Sequence, residues 1–202
     1  MGYLKNYVMI DNRYFKVNEC VFPYFTHPYN TTNKNERTVE VPLGEFFINN
    51  FGYGVTEVGA VMGYYGFNCG EVIDSHDPLP GVIKANAVFD VDYTNKNVLS
   101  VSTIEHFKTG EYSNASDTDA ILFLEKVIKQ AKNYFITWPV GYNPLLDNYI
   151  KNSNNISFFT MKRVNENNQW VKDASKSLSF LYDSPFKNAN AICCVTNLES
   201  LL

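Results

Sequence analysis

The stretch that most restricts how this chain can fold runs from 55 to 74. It reads Val-Thr-Glu-Val-Gly-Ala-Val-Met-Gly-Tyr-Tyr-Gly over 55 to 66 and Glu-Val-Ile-Asp over 71 to 74. A short β-branched run ending in a glycine loop, then a second apolar run ending on an acid, is a strand-loop-strand pattern of an open α/β sheet. Gly59 and Gly63 let backbone approach a ligand closely. Such loops lie at the carboxyl ends of strands, where N–H groups face a ligand's polar end. Asp74, ending the second strand, can accept two hydrogen bonds from a ribose diol. The spacing lacks the middle glycine of a dinucleotide fingerprint, so Glu57, two residues before Gly59, becomes the distinguishing position.

The flanking segments fit such a sheet. Tyr7 to Ile10 and Tyr14 to Val17 flank Asp11-Asn12-Arg13 as a hairpin, predicting a β-rich N-terminal extension over 1 to 34 that covers a sheet edge or a pocket. Phe22 to Asn35, with His27 and two prolines, reads as loop. Glu36 and Arg37 read as a solvated pair, and Pro42 suits the first turn of a helix that runs to Asn50 and stops near Gly52. A strand is expected around Ala87 to Phe89. Asp90 follows it where an acid meets an adenine amino group, with Asp92 as the competing position.

Val98-Leu-Ser-Val-Ser is a buried parallel strand that delivers Glu105 and His106 to the ligand edge. Ser116-Asp-Thr-Asp119 opens a helix of the capping-box kind with a stripe of Ile121, Leu124, Val127, Ile128 and Ala131. Tyr134 to Thr137 is the next strand, broken by Trp138-Pro139. Beyond it Gly141 and Pro144 fix turns, and Tyr142 and Asn143 face the pocket. Ile156 to Val164, Ser179 to Tyr182 and Ala191 to Thr196 complete a mixed sheet, with Cys193 and Cys194 on opposite faces of the last strand.

Composition removes several function classes. A length of 202 residues suits one domain with a sizeable core, and no apolar run is long enough to cross a bilayer. A net charge of −4 without a Lys/Arg cluster argues against nucleic acid and suits a neutral or sugar-like partner. Cys20, Cys69, Cys193 and Cys194 lack metal-ligand spacing, so buried thiols and no metal site are expected. The N-terminus lacks a basic segment followed by an apolar one, which predicts no signal peptide and a cytoplasmic location.

An ordered series of segments carries a family resemblance: Asn35-Glu-Arg-Thr-Val-Glu40, Val55-Thr-Glu-Val-Gly-Ala-Val61, Val72-Ile-Asp74, Pro80-Gly-Val-Ile83, Ser100-Val-Ser-Thr-Ile-Glu-His106, Pro139-Val-Gly-Tyr-Asn-Pro144, Lys162-Arg-Val164 and Ser184-Pro-Phe186. Over residues 33 to 196 it resembles class I S-adenosylmethionine (SAM) dependent methyltransferases, in particular a small methyltransferase-like family found with polysaccharide-synthesis functions. The resemblance implies an α/β, Rossmann-like domain over 35 to 202, with a mixed, mostly parallel seven-strand sheet flanked by helices and SAM as cofactor. It places Glu57 and Gly59 by the methionine end, Asp74 on the ribose, Asp90 at adenine, and the segment from Ser102 to His106 beside the methyl group, with Gly63 a further cofactor-binding residue of the loop. Val61 departs from the glycine or proline common in the wider superfamily, and Lys132-Asn133 shortens the turn before the fifth strand.

Methyl transfer is an in-line displacement in which the protein chiefly positions donor and acceptor. A sugar hydroxyl needs a proton acceptor, which assigns His106 as base, Glu105 as the group orienting it or the acceptor, and Tyr64 or Tyr65 to the sulfonium region. His76 with Asp77 is the rival base, and Tyr142, Asn143 and His76 are the substrate-side residues. The expected activity is O-methylation of a glycan or activated sugar, with a deoxysugar such as rhamnose as the guess and other glycan-synthesis proteins as partners. Glu57, Asp74 and His106 are expected around one cavity. The alternatives are a non-catalytic SAM-fold module in glycan synthesis and a nicotinamide-dependent oxidoreductase, the latter disfavoured by Glu57 and Val61.

Overall fold

The structure is a computed structural model that describes residues 13–111 and 115–202. Its elements in chain order are β1 (Tyr14–Val17), β2 (Cys20–Pro23), α1 (Arg37–Phe51), β3 (Val55–Val58), β4 (Glu71–Ile73), β5 (Asn97–Val101), α2 (Asp119–Gln130), β6 (Asn133–Pro139), α3 (Pro144–Asn152), β7 (Phe158–Arg163), β8 (Trp170–Asp173) and β9 (Ala191–Thr196). β1 and β2 form an antiparallel hairpin, and the other strands form one sheet in the order β4-β3-β5-β6-β9-β7-β8. β4, β3, β5 and β6 are parallel, whereas β9 runs antiparallel to both its neighbours and β8 antiparallel to β7. This is an α/β fold with a mixed seven-strand sheet flanked by helices, compatible with a Rossmann-like arrangement. Because β4 lies on one side of β3 and β5 on the other, the winding reverses at β3. A ligand crevice belongs at the carboxyl ends of strands beside such a reversal.

Local chemistry explains the elements around that crevice. α1 carries Pro42 in its interior, where the missing N–H would ordinarily leave the Thr38 carbonyl without a partner. The Phe25 N–H takes that carbonyl at 2.9 Å, and the Thr38 hydroxyl donates back to the Phe25 carbonyl at 3.1 Å. The segment after the hairpin is thereby fastened along the helix. At α2, the Ser116 N–H and hydroxyl both donate to the Asp119 carboxylate, at 3.1 and 2.5 Å. α3 starts at Pro144, with the Asn143 side chain accepting from the Leu146 N–H at 3.2 Å.

The two sheet faces bury separate apolar clusters. Val39, Phe47, Leu99, Phe135, Ile192 and Cys194 pack on the α1 side together with Phe15 and Phe22 of the hairpin. Phe123, Leu124, Leu146, Val98, Ile136, Trp138 and Cys193 pack on the α2 and α3 side. Alternation along the strands distributes the residues this way, so Cys193 and Cys194 face opposite clusters as free thiols. Among the described residues no helix is long and apolar enough to cross a membrane.

Several elements differ from the sequence expectation. β1 pairs with β2 through a turn at Asn18-Glu19, where Asn18 adopts a left-handed conformation (φ 52°) that asparagine tolerates, in a segment the sequence did not mark as a hairpin; Tyr7 to Ile10, expected to pair with Tyr14 to Val17, lie outside the described residues. α1 begins at Arg37, more than a turn before Pro42, since the proline's lost bond is made good by the neighbouring chain. Ala87 to Phe89 form a turn and not a strand, as the Asn86 side chain accepts the Val88 and Phe89 N–H groups at 2.9 and 3.3 Å and turns the chain. Ser179 to Tyr182 carry no strand; β8 instead fills the sheet edge. β6 continues through Trp138 to Pro139, which sits at the strand end and so interrupts nothing.

Candidate functional site

The tips of β3 and β4 enclose a cavity of about 260 Å³ lined in part by Val58, Gly59, Asp74, His76, Asn86, Val88, Phe107 and Asp119. Asp74 organises its mouth. One carboxylate oxygen accepts the His76 and Asp77 N–H groups at 2.7 and 2.8 Å, and the other accepts the Ala60 N–H at 3.3 Å. The acid thus joins the glycine loop to the loop after β4 and keeps acceptor capacity toward the cavity, since a carboxylate offers about four lone-pair sites. His76 is exposed, with Nδ1 against the Ser75 hydroxyl at 2.6 Å.

Glu57 lies beneath the glycine loop, away from the cavity. Its carboxylate accepts the Met62 and Val61 N–H groups at 2.7 and 3.0 Å, and its second oxygen is buried without a hydrogen bond. Burial pushes its pKa up to about 7, against the lowering effect of those two backbone bonds. Gly59 closes the loop from above. At φ 83°, a β-carbon there would stand 2.0 Å from Thr103 Oγ1, so the tight approach is to Thr103 of the neighbouring strand end. Gly63 faces the Leu79 side chain, and Tyr64 donates to both oxygens of Asp77 at 3.0 Å while its ring stacks on Tyr29 at 4.9 Å.

A second polar group occupies the tips of β5 and β6. Arg37 donates to Glu40 at 2.6 Å, and the fully buried Glu40 also accepts the Ser102 and Thr137 hydroxyls, each at 2.7 Å. Burial would pull Arg37 down, but Glu40, Glu36 and Glu105 around it outweigh that and raise it. The same burial raises Glu36 and Glu105 above the ordinary carboxylate range. Glu36 and Arg37 are therefore buried participants in a charge cluster and not a solvated pair, and Arg37 takes Glu40, one helical turn along, as its partner.

His106 stands at the rim of this cluster. Nδ1 bonds the Glu111 carboxylate, Nε2 lies 3.6 Å from Glu105 Oε1, and the ring meets Tyr142 edge to face at 4.9 Å. Glu105 is 2 % exposed in its side chain, and its other oxygen has no hydrogen-bond partner. Lys108 reaches Glu111 at 3.0 Å and lies over the Tyr142 ring at 4.3 Å. Tyr142 in turn meets Tyr182 edge to face at 5.1 Å. Asn143 is buried; its side-chain amide donates to the Glu105 carbonyl at 3.2 Å and ties the two loops together. Gly141, at φ 89°, leaves no space for a β-carbon, which would stand 2.6 Å from the Phe180 carbonyl and 2.8 Å from the Tyr182 nitrogen.

Of the residues singled out by sequence, Gly59, Asp74 and His76 line the cavity, and Glu105, His106, Tyr142 and Asn143 cluster at the tips of β5 and β6. Glu57, Asp74 and His106 do not share one cavity: Asp74 lines it, Glu57 is under the loop, and His106 gives the wall only its chain neighbour Phe107. Ser102 is buried against Glu40, and Asp90 accepts the Asn86 N–H at 2.9 Å while Asn86 itself lines the cavity. Asn86, Glu111, Tyr182 and the pair Arg37 and Glu40 were not legible as site residues. Arg37 and Glu40 carried a signal, a charged pair three residues apart in an otherwise apolar helix face.

Comparison with protein-family models, with curated proteins and with solved structures returns no match. Among the described residues no group of three or more His, Cys, Asp and Glu side chains is arranged to hold a metal ion.

Proposed function

We propose that the chain binds S-adenosylmethionine by its adenosine half in the cavity at the tips of β3 and β4, and transfers its methyl group to a sugar hydroxyl. One observation carries this reading: Asp74 presents a carboxylate at a strand tip on a cavity whose walls are mostly small or apolar, with Ser75, His76, Asn86 and Asp119 as the other polar residues, beside the point where the winding reverses. Small-molecule pockets run from about 300 to 1,000 Å³. A volume near 260 Å³ therefore suits a nucleoside-sized group and argues against a whole dinucleotide. Val58, Ile73, Ala87, Val88 and Phe107 supply surfaces on which a base packs, and Asn86 stands at the edge with its amide oxygen already committed to the backbone.

SAM, when bound, supplies an electrophilic methyl group on its sulfonium sulfur. The remaining work belongs to this chain. Asp74 accepts the ribose hydroxyls. Glu111, bonded to His106 Nδ1, fixes the ring so that Nε2 is the nitrogen available to take the acceptor's proton, an arrangement in which a carboxylate orients a base. Tyr142 and Tyr182 wall the acceptor's approach. A cytoplasmic location and a place beside other glycan-synthesis proteins belong to the same proposal.

Calorimetric titration with SAM, adenosine and NAD, followed by mass spectrometry of a panel of glycosides and nucleotide sugars, tests it. SAM and adenosine should bind, NAD should not, and Asp74→Ala should lower nucleoside affinity about tenfold or more, the loss of a charged hydrogen-bond acceptor. His106→Ala should keep SAM binding and lose about 10²- to 10⁴-fold in turnover. Tighter binding of NAD than of SAM sinks the reading. A non-catalytic SAM-fold module is the second reading, favoured by Glu57 being spent on its own loop and by Thr103 filling the space above Gly59. Binding of SAM with no transfer to any acceptor would select it.

A further inference from the structure

Which base the cavity at the tips of β3 and β4 takes is a question of its polar lining, and the answer rests on the nucleoside reading given above. Two carboxylates line that cavity, Asp74 beyond the end of β4 and Asp119 at the first residue of α2. Asp119 is buried, and Ser116 holds it: one carboxylate oxygen accepts the Ser116 N–H at 3.1 Å and the other the Ser116 hydroxyl at 2.5 Å. A carboxylate offers about four lone-pair sites, so each oxygen keeps capacity for a further donor in an orientation that Ser116 has already fixed.

Asn86 lies on the turn that forms another wall. Its side-chain oxygen is taken by the Val88 and Phe89 N–H groups at 2.9 and 3.3 Å, which leaves the amide NH2 as the group it offers a ligand. Asp90 accepts the Asn86 backbone N–H at 2.9 Å and so positions this residue. Lys126 of α2 donates to the Val88 carbonyl at 2.8 Å, tying the turn to the helix that begins at Asp119. Phe107, on the apolar lining, meets Phe123 of the same helix edge to face at 5.6 Å. An acceptor and a donor therefore stand on a cavity whose remaining lining, with Ala87, Val88 and Phe107, suits the faces of a flat ring.

Bases differ in what they show to such a pair. Adenine and cytosine present an exocyclic amino group next to a ring nitrogen with a free lone pair, a donor beside an acceptor. Hypoxanthine and uracil present a carbonyl oxygen beside a ring N–H, the reverse order. The first order matches a carboxylate and an amide NH2, whereas the second sets oxygen against oxygen and N–H against N–H. We infer that Asp119 and Asn86 read the base, Asp119 accepting the exocyclic amino group and Asn86 donating to the ring nitrogen beside it, so that the cavity selects adenine or cytosine nucleosides over their carbonyl counterparts.

Calorimetric titration of the whole chain with adenosine, inosine, purine riboside, cytidine and uridine tests this. Adenosine should bind about tenfold or more tightly than inosine and than purine riboside, which lacks the amino group, and cytidine should exceed uridine in the same sense. Asp119→Asn keeps an oxygen for the Ser116 N–H but replaces a charged acceptor with a group that can also donate, so the ratio of adenosine to inosine affinity should fall about fivefold or more. A purely structural role for Asp119 would weaken both nucleosides alike and leave that ratio in place. A ratio near one in the parent chain, or one that Asp119→Asn does not change, overturns the inference. Selection of adenosine without methyl transfer from SAM leaves the base-reading pair standing and removes the proposed activity, and a preference for cytidine over adenosine does the same. Methyl transfer from SAM by a chain that does not tell adenosine from inosine does the reverse, and binding of no nucleoside at all overturns both.

Discussion

The two ends of the crevice are built by different physics. At the tips of β3 and β4, backbone N–H groups, a glycine loop and small apolar side chains shape a cavity, and the buried Glu57 beside it is held by two backbone bonds. At the tips of β5 and β6, buried acids gather around a single arginine. The first region is specified by shape and the second by charge. A substitution should therefore act through sterics in one and through uncompensated charge in the other.

The sharpest way to break this contrast is Glu40→Ala. It strands Arg37, Ser102 and Thr137 in the interior, and removal of one member of a buried ion pair costs about 3–5 kcal/mol. Denaturant unfolding should show that loss, and Arg37→Met with Glu40→Met should recover most of it. A single-variant loss below about 1 kcal/mol would mean that charge does not hold this region together.

Gly59→Ala is the matching test on the other side. The left-handed φ and the 2.0 Å approach to Thr103 predict a loss of about 2–3 kcal/mol in the same unfolding assay, the left-handed part alone accounting for about 1. In a Thr103→Ala background the cost should shrink, because the two sites share one contact. An unchanged cost in that background would assign the whole effect to backbone conformation.

Glu57 links the two regions through pH. Its pKa is about 7 in the folded protein against 4.5 in the reference state, so the native protein holds a proton that the unfolded chain releases between those values. Its contribution to stability is fully present below pH 4.5 and is lost as pH rises to about 7, by up to about 3 kcal/mol. Glu57→Gln should flatten that part of the stability profile. Glu36 and Glu105, also raised by burial, contribute with the same sign and should leave a residual slope.

The smallest effect is expected at Glu71, which bonds Lys96 at 2.5 Å on the outer strand. Both side chains are about one-third exposed, at 36 % and 33 %, so Glu71→Gln should cost less than about 1 kcal/mol. A larger loss would show that charge matters on the cavity side as well.

Elements read from strong periodicity were visible in the sequence, whereas those made by side-chain turn chemistry were not. The β-branched run at Val98 and the stripe of α2 announced themselves because burial on two faces or one face leaves a repeating mark. The turn at 86 to 90 was concealed because an asparagine folding its amide onto the following N–H groups leaves no period. Pro42 misled about the start of α1 because the Thr38 carbonyl that it leaves unbonded accepts the N–H of Phe25, a residue outside the helix. At the site, Asp74 and His106 were legible as acids or bases at strand tips. Glu111 and Tyr182 were not, since both sit on loops and gain their positions from contacts with other loops.

The squeeze at Gly141 has a mechanical implication. The Phe180 carbonyl and the Tyr182 nitrogen stand 2.6 and 2.8 Å from where a β-carbon of residue 141 would be, so the loop after β6 and the loop before β9 meet with no room for a side chain between them. Any larger residue at 141 would push the loops apart and with them the edge-to-face contact of Tyr142 with Tyr182.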